Sequence, residues 1–250
     1  MSYICAEHLV KKYGTGATAV TAVRDIHFDV EAGEFVSIMG ESGAGKSTLL
    51  SIIGAMTPPT SGRFLVDGID VYGLSSEKRT DFRREFIGFV FQSFHLVPYL
   101  TVVENVMLPL TTVPASRKRK HALAGAALAQ VGLSGKEKRL PSQISGGEKE
   151  RVAIARAIVN EPPVVLADEP TGNLDSKTSR EVMELLQRLN QKGATILMVT
   201  HSPACAGYAE RVMKVSDGCL AQENEDPVRS TKVFTLNAGA QDIRPDVGFG

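Results

Sequence analysis

Apolar positions along this chain come in short groups, and their spacing shifts between a period of two and a period of about 3.6, the rhythms of strand and helix. Residues 3–35 alternate apolar and polar side chains with turn residues between, which predicts antiparallel strands; Tyr3-Ile4-Cys5-Ala6 and Ile26-His27-Phe28-Asp29-Val30 are the clearest. Phe35-Val36-Ser37-Ile38-Met39 is a continuous apolar run of strand length, and Leu49-Leu50-Ser51-Ile52-Ile53 reads as a helix that Gly54 ends. Arg63 to Val71 has the form of a hairpin closed by Asp67-Gly68. A helix is predicted over 75–85, then a short strand at Gly88-Phe89-Val90-Phe91-Gln92, a loop running into a helix over 96–106, and an Ala-rich helix near 116–131. Another helix opens at Ser145. Pro163 to Ala167 forms a further buried strand, and the helix after it carries Val182, Leu185, Leu186 and Leu189 on one face, a core stripe. Ala194 to Thr200 and Arg211 to Val215 complete the sheet, the latter followed by a Ser216-Asp217-Gly218 turn. No internal repeat is visible.

Strands alternating with helices predict an α/β fold with a parallel sheet. Residues 1–222 form one domain, with a mostly helical insertion at about 93–158; residues 223–250, patterned only at Val233-Phe234-Thr235-Leu236, are a tail of unassigned role. Lys+Arg and Asp+Glu each count 28, so the charge balance argues against nucleic acid as a partner. Arg117-Lys118-Arg119-Lys120 is the basic cluster, read as the solvated first turn of a helix. Three widely spaced cysteines, without a Cys-x-x-Cys pair, suit a reducing compartment. No apolar run approaches the roughly 18 residues that span a bilayer, and the start of the chain lacks a secretory pattern. The expectation is a soluble cytosolic chain whose membrane connection, if any, runs through another polypeptide.

The chemistry concentrates at strand ends. Gly40-Glu41-Ser42-Gly43-Ala44-Gly45-Lys46-Ser47-Thr48 matches the phosphate-loop pattern G-x-x-x-x-G-K-[ST], between a strand and a helix as that loop requires. Its backbone N–H groups and the positive end of the helix suit a phosphate chain, Lys46 suits the β- and γ-phosphates, and the Ser47 hydroxyl suits Mg²⁺. Asp168-Glu169 closes a buried strand, where ligands of open α/β sheets bind; Asp168 suits Mg²⁺ and Glu169 suits orienting or deprotonating a water. His201 ends another strand at that edge and suits a γ-phosphate contact. Ser145-Gly146-Gly147-Glu148 has capping-box spacing. Two glycines weaken a helix start by roughly 1 kcal/mol each, and close approach of an anion would account for both. Tyr13 becomes a candidate for stacking on a purine.

In this order the motifs resemble the nucleotide-binding subunit of an ABC transporter, over roughly residues 3–220. The resemblance implies a P-loop NTPase (RecA-like) core with an N-terminal antiparallel β subdomain and an inserted α-helical subdomain. It also implies ATP and Mg²⁺, with Tyr13 on the adenine, residues 40–48 on the phosphates, and Ser47, Gln92 and Asp168 around the metal. Glu169, His201 and Lys46 would carry catalysis. Ile144-Ser145-Gly146-Gly147-Glu148 resembles the signature motif, with Ile144 and Glu148 where Leu and Gln are usual, and Asn173-Leu174-Asp175 resembles the D-loop. In this family the signature glycines meet ATP held by the opposite subunit, which implies a head-to-tail homodimer enclosing two ATPs and coupled through Gln92 to a separate integral membrane subunit. Ala167 to Asp175, Gly88 to Gln92 and Leu100 to Val106 resemble the ATPases of macrolide exporters, lipoprotein-releasing complexes and antimicrobial-peptide transporters. Such a chain works on the cytoplasmic face of the membrane. A non-transport ABC ATPase of DNA repair or translation is the rival reading, although the long coiled-coil insertion or double cassette usual there is absent.

Overall fold

The computed structural model describes residues 2–221; the tail assigned to 223–250, with its Val233–Leu236 group, lies outside them. In chain order the elements are β1 (Ile4–Tyr13), β2 (Val20–Val30), β3 (Phe35–Met39), α1 (Lys46–Ile53), β4 (Ser61–Val66), β5 (Ile69–Asp70), α2 (Ser76–Phe86), β6 (Ile87–Val90), α3 (Val102–Met107), α4 (Arg117–Gln130), α5 (Gly146–Ile158), β7 (Val164–Asp168), α6 (Ser176–Gln191), β8 (Thr195–Thr200), α7 (Pro203–Ala206), β9 (Arg211–Ser216) and β10 (Cys219–Leu220). They build two sheets. One is six-stranded, in the order β10-β9-β3-β8-β7-β6, parallel except for β10 at its edge. The other is four-stranded and antiparallel, in the order β2-β1-β4-β5.

Both faces of the parallel sheet are covered, which is why its strands read as unbroken apolar runs. Phe35, Val165, Ala167, Ile196 and Met198 face α3 to α6, while Val36, Ile38, Val164, Leu166, Leu197 and Val199 face α1 and the antiparallel sheet. Leu49, Leu50, Ile52 and Ile53 of α1 are wholly buried between the two sheets. The inserted helices share one apolar cluster with the sheet, so the insertion is packed onto the core. Among the described residues, no helix is long and apolar enough to cross a membrane.

Four elements differ in detail from the sequence pattern for local reasons. β1 and β2 run well past the predicted segments, because their register shifts at bulges around His8 and Asp25, both with left-handed backbone (φ 50° and 52°). Each bulge resets the inside–outside alternation, so a long strand looks like two short ones. Gly54 does cap α1, but the left-handed residue there is Ala55 (φ 54°). Gln92 falls in the turn after β6, not within the strand. Asp67 and Gly68, at φ 49° and 74°, make the tight hairpin turn expected of Asp-Gly.

Candidate nucleotide site at the carboxyl edge of the sheet

Strand register decides which side chains meet. Met39 lies opposite Thr200, and Asp168 opposite Val199, so β3, β7 and β8 end level with one another. The next residues in each case, Gly40, Glu169 and His201, therefore emerge along one edge. This is the crevice at the carboxyl ends of the strands where open α/β sheets bind ligands.

The phosphate loop is shaped by what its glycines touch. A Cβ on Gly45 would lie 2.1 Å from the Ala22 carbonyl oxygen, and one on Gly40 2.2 Å from that of Val215. Gly45 also stands at φ 99° and caps the start of α1, so the loop is wedged between β2 and β9 in a form only glycine permits. It delivers the first turn of α1, with Lys46, Ser47 and Thr48, whose N–H groups have no partner within the helix. Lys46 is buried, and its Nζ donates to the carbonyls of Gly40 and Glu41 at 2.8 Å each. The ammonium is thereby held inside the loop. Exposed Ser47 stands beside it.

Opposite that cation lies the carboxylate pair. Burial raises the Asp168 carboxyl above its ordinary pKa, the charge of neighbouring Glu169 adds to the rise, and Lys46 works against it. Glu169 has left-handed backbone (φ 48°), which turns its side chain off the end of β7. Its Oε1 lies 2.9 Å from Nδ1 of His201, and its side chain is mostly buried while His201 is largely exposed. An imidazole carrying its proton on Nδ1 donates to this carboxylate and fixes its orientation. Gln92 joins the same edge: its backbone oxygen accepts from Asn173 Nδ2 at 2.9 Å, and its side chain lies over Gly172, in the loop that follows Glu169. Tyr13, 45 % exposed, is at the end of β1 opposite Val20, two residues from the Ala22 carbonyl that abuts Gly45. Lys11 Nζ sits 5.1 Å from its ring centroid.

The capping-box spacing at 145–148 is realised within the chain. Ser145 and Glu148 form a complete capping box: Glu148 Oε2 accepts from the Ser145 N–H at 2.8 Å, and Ser145 Oγ from the Glu148 N–H at 3.3 Å. Lys136 adds an ion pair at 3.0 Å to Glu148 Oε1. Gly147 packs against α6: a Cβ there would meet Thr178 Cγ2 at 2.2 Å. Gly146 is exposed, and a Cβ there would find its nearest neighbour, a Leu174 methyl, at an ordinary 3.7 Å. Among the described residues no hydrogen bond or ion pair joins this segment to the phosphate loop. Asp175 caps α6, accepting from the Lys177 and Thr178 N–H groups at 3.0 and 3.1 Å and from Thr178 Oγ1 at 2.6 Å. Those bonds hold its carboxyl below its usual pKa. Sequence reasoning gave no role to Lys136, to Arg156 or to the packing of Thr178 on Gly147, since these partners lie twelve or more residues away.

A phosphate loop between the inner strand and helix of a parallel sheet, with a carboxylate pair at a neighbouring strand tip, defines a P-loop nucleoside triphosphatase fold. The family model described as ABC transporter matches residues 23–172. The macrolide export ATP-binding/permease protein MacB of Syntrophobacter fumaroxidans is 45% identical over 227 residues, covering 90% of this chain and 32% of that protein. YvrO of Bacillus subtilis, an ABC transporter ATP-binding protein, is 43% identical over 221 residues, covering 88% of this chain and 96% of its own. A dimeric, post-hydrolysis structure of the ATP-binding cassette MJ0796 bound to ADP and Pi, from Methanocaldococcus jannaschii, superposes with a TM-score of 0.80 at 41% identity, covering 87% of this chain and 96% of that one. The chain belongs to the ABC transporter family. It spans about a third of the length of the MacB relatives and nearly all of the length of YvrO.

Proposed function

We propose that this chain is the ATP-binding and ATP-hydrolysing subunit of an ABC transporter, acting as a pair of copies on the cytoplasmic face of the membrane and driving export or extrusion through a separate membrane subunit. The domain is residues 1–222. The carrying observation is the convergence of the phosphate loop, Asp168 and the Glu169–His201 pair on one sheet edge. The MacB relative's export name and the dimeric MJ0796 cassette support the transport and pairing parts of the reading.

In this reading the N–H groups of residues 43–48 and the Lys46 ammonium bind the triphosphate, and Tyr13 offers its half-exposed ring to the adenine. Glu169 orients a water in line with the γ-phosphate and accepts its proton, while His201 holds that carboxylate. Ser47, Asp168 and Gln92 are the oxygen donors for Mg²⁺, which neutralises developing phosphate charge when bound. They fit, since Asp168 is a carboxylate destabilised by burial and by Glu169, an arrangement a nearby cation relieves. Gly146 and the start of α5 are left to serve the second copy's nucleotide.

The test is Glu169→Gln with ATP and Mg²⁺. Turnover is expected to fall by at least about a hundredfold with ATP binding retained, in line with loss of a general base, and the variant is expected to accumulate as a dimer on size exclusion. Turnover at the wild-type rate, measured as phosphate release, would remove Glu169 from the mechanism.

A further inference from the structure

The turn that carries Gln92 is built in a way that demands support. Phe94 and His95, two and three residues beyond it, are consecutive side-chain-bearing residues in the left-handed region, at φ 59° and 47°. Such a pair is disfavoured on its own and persists only where neighbouring structure holds it. The holding group is identifiable. Arg156, on the last turn of α5, donates through Nη2 to the Phe94 carbonyl at 2.6 Å and through Nη1 to the His95 carbonyl at 2.5 Å. Burial withdraws the guanidinium from competing water, and its fixed fork matches two adjacent oxygens, which a lysine ammonium cannot do. The other side of the turn is pinned by Asn173 Nδ2 on the Gln92 carbonyl at 2.9 Å, and Phe91 is sandwiched between Phe89 and His95, at centroid distances of 4.1 and 4.9 Å.

We propose that Arg156 is a positioning residue for the nucleotide site: its fork fixes the 91–95 turn that presents Gln92, and it fastens that turn to α5. The reach of this link comes from α5 itself. Gly146 and Arg156 are ten residues apart on one helix, a span of roughly 15 Å of rigid rod. Displacement at the exposed Gly146 end is therefore delivered to Gln92 without passing through the sheet. This rests on the reading above, in which Gln92 and the start of α5 both serve nucleotide.

The experiment compares wild type with Arg156→Lys and Arg156→Gln, using the full chain. Hydrogen exchange on nucleotide-free protein is read for the peptides covering 91–97 and 146–152. Both variants are expected to speed exchange across 91–97 by about tenfold or more, local opening having become easier, with 146–152 unchanged. Phosphate-release kinetics are expected to show kcat reduced at least about tenfold with the KM for ATP within about twofold, the pattern of a lost positioning contact. Lysine keeps the charge and the stem, so it remains informative if the glutamine variant fails to fold. Unchanged exchange across 91–97 in Arg156→Lys overturns the clamp, and faster exchange with unaltered kcat overturns its role in the site. The exchange measurement needs no ATP, so a wild-type chain without ATPase activity would sink the proposed function while leaving the clamp to be judged on its own.

Discussion

Replacing Glu150 with glutamine should stabilise this protein, and increasingly so as the pH rises. Glu150 points into the interior from α5, is 1% exposed, and has one carboxyl oxygen without a hydrogen-bond partner. Burial pushes its pKa from 4.5 up to about 8, with the charge of Arg156 only partly opposing the rise. Between those two values the folded protein keeps a proton that the unfolded chain releases, so stability falls as pH climbs through the window and levels off above it. At 1.36 kcal/mol per pKa unit, the loss amounts to roughly 1 kcal/mol at pH 5 and roughly 4 kcal/mol at pH 8. Glutamine has the same shape and never ionises. The variant should therefore gain roughly 3–4 kcal/mol on wild type between pH 5 and pH 8, on the order of 10 °C in melting temperature for a domain of this size. Urea titrations at pH 5, 6, 7 and 8 give the difference directly, and groups that titrate in both proteins cancel. Parallel curves with a constant gap across that range would show that Glu150 does not hold its proton in the folded state, and the reasoning would fail.

Gly147→Ala should cost about 1–3 kcal/mol, the usual penalty of overpacking, because the new methyl collides with Thr178 Cγ2. Adding Thr178→Ser removes that methyl while keeping the hydroxyl bonded to Asp175; the double variant should recover most of the loss in a urea denaturation cycle, and strict additivity would refute the packing account. Ser145→Arg should abolish steady-state ATP hydrolysis while leaving nucleotide binding by the single copy intact, as measured with a fluorescent ATP analogue; undiminished hydrolysis would exclude a site shared between copies. Asn105→Ala should destabilise by about 3 kcal/mol, since a wholly buried side chain that accepts from the Val97 N–H and donates to the carbonyls of Val97, Leu100 and Thr101 leaves those groups unpaired; a melting temperature matching wild type would contradict that.

What could be read from the residues alone, and what could not, divides by distance along the chain. The phosphate loop, the Asp168-Glu169 tip and His201 were legible because each is a strand end followed by polar chemistry, and a parallel sheet brings all its carboxyl ends to one edge whatever the details of packing. The intrachain partners of Gly147 and Glu148 were not legible, for the complementary reason. The space that Gly147 leaves is filled by Thr178, 31 residues further on, and Glu148 takes Lys136, twelve residues back, as its partner. Neither pairing leaves any mark in local periodicity. Arg156 is the extreme case, since the carbonyls it holds lie 61 and 62 residues away. Chemistry placed by the backbone at a strand tip can thus be inferred before the fold is known. Chemistry placed by a side chain that reaches across the core cannot, and in this chain that second kind ties the turn after Gln92 to α5. Gly146 is exposed and free of close neighbours whereas Gly147 packs against Thr178, a difference between adjacent glycines that only the folded chain reveals.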